Sequence, residues 1–485
     1  MKKPLQYLAI ALLVLIAVLL FNTFRISSKQ MMGLAPIAKL NLPDSIINHL
    51  AEAVQYRTVS YEDPANMDSL QFEKFIQFVA KTYPLTHSTL TLERVNNYAL
   101  FFEWKGKNSA LKPALLMGHY DVVPVIQGTE RIWQYKPFAG EMADGYLFGR
   151  GTMDDKSTVI GIFEAVEHLL KTGYQPERTF FLSFGHDEEV SGKNGAQYIA
   201  ALCEQRKIEF EYVIDEGGLI KTDGLVGINK PIAFVGIAEK GFLTLQLNVT
   251  TEGGHSSMPP PQTGIGMLAE AIDKVQKNPF EGRIEGAAGY MQDYLAPEMP
   301  FMNKLAMANR WLFKPLLISS ISKTNSGNAT MRTTIAPTIF EAGVKDNVLP
   351  IEAMAKINFR ILPGDSMETV INHVKKVIGN DKVVIERTGT HDPNPSGVSD
   401  TATLGFRLIQ STITRCFPDV MVAPNLVVGA TDSRFFKRVS KNIYRFMPIR
   451  LKDEDLKRVH GTNERISVED FKNVVQFYVE IVKGS

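Results

Sequence analysis

Acidic residues and histidines follow short apolar segments at three places in the sequence. His119 and Asp121 follow the run ALLM, Glu188 and Glu189 follow FFLSF, and Asp215 follows YVI. The carboxyl ends of parallel strands share one edge of an open α/β sheet, where active sites gather. Consecutive acids repel one another unless positive charge lies among them. The pattern therefore predicts one cation-binding site, in which neighbouring acids divide the work of metal ligand and general base.

Each of these groups also has an ordinary structural interpretation. His119 and Asp121 share a strand face and could form a simple polar cluster, although beside a metal the same acid would orient the histidine. Asp154 and Asp155, in GRGTMDDK, precede a predicted helix and could cap its first turn rather than bind metal. His460, in HGTNE, would by itself be a surface residue. The agreement of several groups favours a metal site more than any single group does.

The composition limits the partners and the metal ligands. The 53 basic and 52 acidic residues leave a formal net charge of +1, so we expect small or neutral partners and no nucleic acid. Only two cysteines, Cys203 and Cys416, are present, which excludes a thiolate metal cluster. Any metal must therefore be held by histidine and carboxylate. A chain of 485 residues is long enough for two domains.

The N-terminus differs from this globular composition. Lys2 and Lys3 precede an apolar segment, and residues 4–24 are long enough to cross a bilayer as a helix. A cleavable signal peptide is the alternative, but NTFR after the apolar run lacks a small-x-small cleavage site. We predict a single-pass anchor with the catalytic body on the extracytoplasmic side (periplasmic, luminal or secreted), although Arg25 and Lys29 weaken the charge bias.

The order of predicted elements indicates an α/β fold with an inserted second domain. Between residues 98 and 214 apolar strands alternate with helices, which is typical of a mainly parallel sheet. The segment GFLTLQLNVTT then alternates apolar and polar residues, and two helices over an antiparallel sheet form a ferredoxin-like pattern. We predict an anchor and stalk at 1–30, a catalytic domain at 31–238 and 389–485, and a lid domain at 239–388.

Nine motifs occur in order between residues 118 and 464: GHYDVVP, GRGTMDDK, HDEEVSG, DEGG, GGHSSMP, NVLP, FRILPGDS, GATDSR and HGTNE. Together they resemble the di-zinc metallopeptidase family that includes carboxypeptidase S, glutamate carboxypeptidase and aminoacylase. They look closest to its carboxypeptidase S and N-fatty-acyl amino acid hydrolase branch. The resemblance implies a phosphorylase/hydrolase-like zinc-peptidase catalytic domain with a mainly parallel sheet, carrying an inserted ferredoxin-like α+β lid.

The resemblance also implies a role for each motif residue. Two Zn²⁺ ions per subunit would be bound by five residues. His119 and Asp215 would bind one ion, Glu189 and His460 the other, and Asp154 would bridge both. Mn²⁺ or Co²⁺ would also suit such ligands. Glu188 would be the general base that activates a water between the metals. Asp121 would orient His119, and the peptide bond between Asp154 and Asp155 would be cis.

Four further residues match substrate-binding positions of the family: His255, Asn347, Arg360 and Thr431. His255 would donate to the substrate carbonyl or oxyanion, and Arg360 would pair with a terminal carboxylate through its planar guanidinium. The implied reaction is carboxypeptidase-type hydrolysis of an amide (peptide) bond in a substrate with a free carboxylate. An N-acyl (fatty-acyl) amino acid amidohydrolase is the alternative. A non-catalytic binding protein is a second alternative, which the intact Glu188 and ligand set argue against.

A long insert, residues 280–333, is rich in methionine, leucine and aromatic residues. In many relatives the lid forms the dimer, so the resemblance implies a homodimer through the lid unless this insert replaces that interface. The apolar residues of the insert could line a tunnel for a greasy substrate, touch the membrane, or simply pack between helices. The sequence leaves these three alternatives open.

Overall fold

The computed structural model describes residues 2–225, 227–389 and 393–485. These residues contain fourteen α-helices: α1 (Lys2–Arg25), α2 (Ser45–Gln55), α3 (Ser69–Thr82), α4 (Pro84–Thr89), α5 (Lys156–Lys171), α6 (Ala196–Gln205), α7 (Gly264–Lys277), α8 (Gly286–Leu295), α9 (Phe301–Ala308), α10 (Arg310–Ile321), α11 (Asn325–Met331), α12 (Met367–Ile378), α13 (Leu404–Cys416) and α14 (Val468–Gly484).

The same residues contain nineteen strands: β1 (Thr91–Val95), β2 (Ala99–Trp104), β3 (Ala114–His119), β4 (Glu141–Ala143), β5 (Tyr146–Phe148), β6 (Phe180–Gly185), β7 (Tyr212–Asp215), β8 (Ile220–Lys221), β9 (Ile232–Glu239), β10 (Gly241–Thr250), β11 (Gly254–His255), β12 (Thr334–Ala342), β13 (Val348–Leu349), β14 (Glu352–Ile361), β15 (Val383–Arg387), β16 (Met421–Val427), β17 (Ile443–Arg445), β18 (Arg450–Leu451) and β19 (Arg465–Ser467).

The larger sheet has ten strands in the order β1-β2-β6-β3-β7-β17-β9-β8-β18, with β16 paired to β9. Its centre, β6-β3-β7-β17, is parallel. Successive side chains of β3 enter two different cores, because Leu116 packs on the side of α5 and α14 whereas Leu115 and Met117 pack on the side of α6. Helices therefore cover both faces, as a buried parallel sheet requires. The predicted α/β class with a mainly parallel central sheet is confirmed.

Two helices on one side of the sheet pack unusually closely. Gly161 of α5 lies against α14, and a Cβ atom built on it would stand 2.5 Å from Cγ1 of Val474. Only glycine permits this approach, which keeps α5 close to both α14 and β3. The N-terminus of α5, which directly follows Asp154 and Asp155, is thereby fixed relative to the carboxyl end of β3.

The smaller sheet is antiparallel, with the order β12-β14-β10-β15. Every second residue of β10 is buried, and Leu243, Leu245 and Leu247 face a core that α7 and α12 complete. This is the period of a half-buried strand. Strand β9 of the larger sheet ends at Glu239 and β10 of the smaller sheet begins at Gly241. We accordingly keep 239–388 as the proposed bounds of the lid, between catalytic segments 31–238 and 389–485.

The insert between α7 and β12 is helical and packs partly on the catalytic domain. Tyr294 and Leu295 of α8 join the core of the larger sheet, beside β16. Helices α9, α10 and α11 gather around a smaller core that includes Met307, Leu317 and Met331. The insert therefore does not simply extend the lid, because its first helix is built into the catalytic domain.

Candidate metal centre

Four of the five predicted ligands, His119, Asp154, Glu189 and His460, meet at the carboxyl edge of the three central strands. His119 is the last residue of β3, and Glu188 and Glu189 form a short turn just after β6. Because β6 and β7 both pair in parallel with β3, the residues that follow each strand arrive at one place. His460 reaches the same place from the loop before β19, and its backbone has the left-handed φ of 57°.

The Asp154 carboxylate lies between the two histidines. Its Oδ1 is 3.0 Å from Nε2 of His119, and its Oδ2 is 3.0 Å from Nε2 of His460. The same His460 nitrogen lies 3.0 Å from Oε2 of Glu189. The peptide bond between Asp154 and Asp155 is cis, as the family resemblance led us to expect. One carboxylate thus offers one oxygen to each half of the site.

Two groups of three side chains could each hold a metal ion. One group contains His119, Asp154 and Glu189, and the other contains His119, Glu188 and Glu216. In the second group, Oε1 of Glu216 lies 3.8 Å from Nε2 of His119. The two groups share His119, so each places acidic side chains near the same imidazole.

Asp215 is not placed as the sequence analysis expected. Among the described residues it joins neither of these groups, and its Oδ2 instead accepts the backbone N–H of Ser433 at 2.9 Å. The reason is strand geometry, since Asp215 is the last residue of β7 and its neighbour Glu216 points the other way. Glu216 replaces Asp215 as the fifth candidate ligand.

Asp121 connects two of the motifs. Its Oδ1 lies 3.3 Å from Nδ1 of His119 and accepts the backbone N–H of Glu188 at 3.1 Å. Its Oδ2 accepts the backbone N–H of Glu189 at 3.1 Å and the hydroxyl of Ser60 at 2.6 Å. Asp121 is fully buried, and burial raises its pKa, but His119 and Ser60 bring the pKa below its usual range. An ionised Asp121 therefore orients both a histidine and the Glu188-Glu189 turn.

The electrostatics of the cluster favour bound cations. Burial raises the pKa of Glu188 well above its usual range, with further contributions from Asp432 and Glu189. Burial and the Asp154 charge raise the pKa of Glu189 to about 7, and burial and the same charge raise that of Glu216 well above its usual value. Buried Oε1 of Glu189 has no hydrogen-bond partner among the described residues. Carboxylates that crowd together in this way gain most from a positive ion at their centre.

The two histidines show the complementary effect. Burial lowers the pKa of His119, but hydrogen bonds to Asp121 and Asp154 outweigh burial and raise it well above its usual range. Hydrogen bonds to Asp154 and Glu189 raise the pKa of His460 to about 10. Each imidazole nitrogen that faces Asp154 thus lies in a strongly negative environment. A divalent cation would occupy the same environment and compete with the proton for that nitrogen.

A buried ion pair that the sequence analysis did not identify supports Asp154. Oε1 of Glu464 accepts backbone N–H groups from Gly151 at 3.0 Å, Met153 at 2.8 Å and Asp154 at 3.2 Å. Its Oε2 accepts a hydrogen bond from Nη1 of Arg150 at 2.6 Å. Arg150 also donates a hydrogen bond to the carbonyl oxygen of His460 at 3.2 Å. Both charged side chains are buried. The pair therefore ties the loop that carries Asp154 to the loop that carries His460.

Thr431 lies beside this cluster of histidines and carboxylates. Its methyl group is 3.3 Å from a Cβ atom built on Gly217, the residue after Glu216, and its backbone N–H donates to Oε1 of Glu239 at 2.6 Å. Next to Thr431, both carboxylate oxygens of buried Asp432 lack hydrogen-bond partners among the described residues. A Cβ atom on Gly192 would stand only 1.8 Å from Asp432, which explains the glycine in HDEEVSG.

The other three predicted substrate residues belong to the lid. His255 in β11 pairs with β13, and the backbone N–H of Ser256 donates to the carbonyl oxygen of Asn347 at 3.1 Å, so His255 and Asn347 are neighbours on an exposed edge. Arg360 lies in β14 over the ring of Phe242, 4.8 Å from its centroid. In the described part of the chain no carboxylate pairs with Arg360, and burial lowers its pKa. An unpaired, partly buried guanidinium is suited to a carboxylate ligand.

Comparison with known proteins agrees with this geometry. Residues 115–484 match the profile of peptidase family M20/M25/M40. The chain is 40% identical, over 97% of its length and 92% of the relative's, to probable carboxypeptidase S-like 2 of Dictyostelium discoideum. It is 39% identical, over 98% and 94%, to N-fatty-acyl-amino acid synthase/hydrolase PM20D1 of Xenopus tropicalis. The structure of M20 family metallo-carboxypeptidase Sso-CP2 from Sulfolobus solfataricus shares the fold, with a TM-score of 0.64 at 19% identity over 91% of this chain and 99% of that one.

Proposed function

This chain belongs to peptidase family M20/M25/M40, and from that premise we propose that it hydrolyses an amide bond in a small substrate with a free carboxylate, as a metal-dependent carboxypeptidase. The observation that carries the proposal is the position of Asp154. Each of its two oxygens lies 3.0 Å from Nε2 of a different histidine, His119 or His460. A carboxylate shared in this way offers one ligand to each of two cations.

The donor set fits two divalent cations. His119, Asp154 and Glu216 would hold one, and Asp154, Glu189 and His460 would hold the other. Histidine and carboxylate ligands suit Zn²⁺, and Mn²⁺ or Co²⁺ can use the same set. When bound, such a pair polarises the scissile carbonyl and makes water a stronger acid. Oε1 of Glu189, which has no hydrogen-bond partner in the described part of the chain, supports the fit, because a buried carboxylate oxygen needs a positive or donating partner.

The side chains of this protein handle the proton and position the reacting groups. Glu188 is within reach of His119 and Glu216, so its carboxylate borders the space where substrate and water meet. We assign it the role of general base, which takes the proton of the attacking water and later transfers it to the leaving amine. The Asp121 carboxylate accepts the backbone N–H of Glu188, which fixes the direction in which the Glu188 side chain leaves the backbone.

The lid supplies groups for the substrate in this proposal. Arg360 would pair with the free carboxylate, and its lack of an acidic partner among the residues that the structure describes supports that role. His255 would donate to the carbonyl oxygen as it gains negative charge, and its exposure on the lid edge leaves it free to reach a substrate or a neighbouring subunit. Asn347 and Thr431 complete the proposed substrate contacts. A homodimer through the lid is part of the proposal, because the exposed His255 could then reach the site of a neighbouring subunit.

Two substrate classes fit these groups. A short peptide with a free C-terminus and an N-acyl amino acid present the same amide bond and carboxylate. The relative named for N-fatty-acyl amino acids makes the second class a specific alternative to the carboxypeptidase. A non-catalytic binding protein is the second alternative, and it predicts ligand binding without turnover.

The proposed location is a membrane, with the catalytic body on the extracytoplasmic side. Helix α1 is the one helix of the described residues that is long and apolar enough to span a bilayer, with a mean hydropathy of 2.5 over its most apolar part. A signal sequence near the N-terminus would meet the same test. Mass spectrometry of the N-terminus of the protein isolated from cells would separate a retained anchor from a cleaved signal.

The proposed activity can be tested with the full-length protein in lipid nanodiscs. We expect two divalent ions per chain by elemental analysis, loss of hydrolysis with a chelator, and recovery when Zn²⁺ is returned. A blocked dipeptide and an oleoyl amino acid, assayed side by side, decide between the two substrate classes. Binding of both without turnover by the metal-loaded protein would leave only the non-catalytic alternative.

A further inference from the structure

One face of α10 is exposed and carries no charge. Trp311, Leu312, Pro315 and Leu316 lie on it, followed by Ser319, at the helical spacing that places residues on one side. Trp311 is 61% exposed and Leu316 is 64% exposed. The charged residues of this helix lie elsewhere, since Arg310 pairs with Asp293 and Lys314 pairs with Glu285. An exposed helix face without a charge is unusual for a helix that meets only water.

The apolar face continues onto two neighbouring helices. Phe301 and Met302 at the start of α9 are exposed, Met302 by 69%. The ring of Phe24, near the end of α1, lies 6.2 Å from that of Phe301. We call this set the α9–α10 surface: Phe24, Phe301, Met302, Trp311, Leu312 and Leu316.

A buried asparagine joins this surface to α1. The side chain of Asn309, between α9 and α10, donates to the carbonyl oxygen of Leu19 at 3.0 Å and of Leu305 at 2.9 Å. Its Oδ1 accepts the amide of Asn22 at 2.9 Å. Asn309 and Thr23 are almost completely buried at this joint. The end of α1 is thus docked on the corner between α9 and α10 by satisfied polar contacts, which fixes the position of one relative to the other.

The position of the joint along α1 sets the depth of the surface. Leu19 lies inside the apolar run that ends at Phe21, so the corner meets the helix before its apolar part ends. At about 1.5 Å of rise per residue, Leu19 is only about 3 Å along the axis from Phe21. If α1 occupies a bilayer, the corner cannot lie far above it. Tryptophan and leucine on an uncharged face are the residues that enter the boundary between headgroups and acyl chains.

We propose that the α9–α10 surface is a second membrane contact, which inserts into the outer boundary of the phospholipid bilayer that α1 enters. This contact rests on the proposed position of α1 in a membrane. It describes how the rest of the protein lies against that membrane, which is separate from the proposed hydrolysis. A second copy of this chain could cover the same surface, and the test below separates that outcome.

Fluorescence quenching by lipid-attached nitroxides tests the proposal in the full-length protein. The chain has three tryptophans, and Trp104 and Trp133 are buried whereas Trp311 is exposed on the surface in question. In phosphatidylcholine nanodiscs we expect strong quenching by a nitroxide near the headgroup and weaker quenching by one deep in the acyl chain. Trp311→Phe should lose this quenching completely. Equal quenching of the wild-type protein and Trp311→Phe would overturn the proposal.

A matched pair of variants and a cross-linking measurement complete the experiment. Leu316→Glu should reduce the quenching of Trp311, whereas Leu70→Glu, at a leucine of α3 that is 56% exposed, should not. Hydrolysis of a water-soluble blocked dipeptide by both variants reports that they are folded. Disulfide-linked dimers of Leu316→Cys, formed in nanodiscs that show no quenching of Trp311, would assign the surface to a second copy and overturn membrane insertion.

Discussion

Replacement of Glu464 by glutamine should loosen the metal centre without touching a ligand. The Glu464 carboxylate accepts three backbone N–H groups of the Asp154 loop and the guanidinium of Arg150. In Glu464→Gln one oxygen can still serve the backbone, but the amide NH₂ group would face Arg150 and the ion pair would be lost. The buried Arg150 would keep its hydrogen bonds to backbone carbonyl oxygens and its position over the Trp133 ring, but would lose its carboxylate partner.

The size of the effect follows from the burial of the pair. Removal of one partner from a buried ion pair typically costs about 3 to 5 kcal/mol of stability, because the remaining charge stays buried. Loss of a residue that orients a metal ligand typically weakens metal affinity by about 10- to 100-fold. Glu464 positions Asp154 directly and His460 through Arg150. We therefore expect the loss of metal affinity to lie in the upper part of its range.

Two measurements check this prediction in the full-length protein. Competition with a chromophoric chelator gives the Zn²⁺ affinity, and thermal unfolding of the metal-free protein gives the change in stability. Glu469→Gln is the matched control, because Glu469 also pairs with a cation, Lys39, but on the surface. An exposed pair of that kind contributes about 0 to 1 kcal/mol. If Glu464→Gln binds Zn²⁺ and unfolds like Glu469→Gln, the proposed positioning role of Glu464 is wrong.

The remaining predictions concern residues of the cluster and the lid. Glu188→Gln should retain both metal ions but lose about 10²- to 10⁴-fold in kcat, the usual share of a general base, and loss of metal together with activity would instead make Glu188 a ligand. Glu216→Gln should weaken metal binding, whereas Asp215→Asn should not. Weaker metal binding in Asp215→Asn with unchanged binding in Glu216→Gln would restore Asp215 as the ligand. Arg360→Gln should raise KM about 10- to 100-fold for substrates with a free carboxylate, through loss of a charged hydrogen bond of about 1.5 to 3 kcal/mol, with unchanged hydrolysis of amidated analogues.

Much of the catalytic fold could be predicted because its signals are local. Strands β3, β6 and β7 are mostly apolar, since both faces of each are covered, and each ends at or just before a residue that reaches the site. The alternation in β10 likewise indicates a sheet with one buried face. Parallel pairing then brings the strand ends together, so the position of His119 near Glu188 and Glu189 follows from the pattern.

Contacts between distant segments could not be predicted in the same way. Arg150 and Glu464 are separated by 314 positions, and nothing in either local sequence identifies the partner. The role of the insert at residues 280–333 was equally open, because runs of methionine, leucine and aromatic residues are compatible with packing, a tunnel or membrane contact. Whether α8 joins the catalytic core depends on β16, which lies more than a hundred residues further along the chain.

The prediction of Asp215 as a ligand shows how fine this limit of sequence analysis is. The motif DEGG offers two adjacent acids, and a strand directs adjacent side chains to opposite sides. The choice between Asp215 and Glu216 therefore depends on which residue ends β7 and on the turn after it, where Gly217 has a φ of 107°. A shift of one residue in the strand end would exchange the two roles, and no periodicity in a four-residue strand fixes that end.

The proposed metal centre is positioned mainly by two carboxylates, Asp121 and Glu464, that belong to neither group of candidate ligands. Asp121 and Glu464 accept backbone N–H groups from the Glu188-Glu189 turn and the Asp154 loop, so the ligands are positioned by contacts that do not need a cation. Positioning the ligands in advance brings several acids close together. The electrostatic repulsion among them increases as they are held closer to one another. Cations that bind only the folded chain offset this repulsion and stabilise the fold in proportion to their affinity and concentration. The metal-free protein should accordingly unfold at a lower temperature than the Zn²⁺-loaded protein, and the difference should shrink in Glu464→Gln, where the ligands are no longer held in advance.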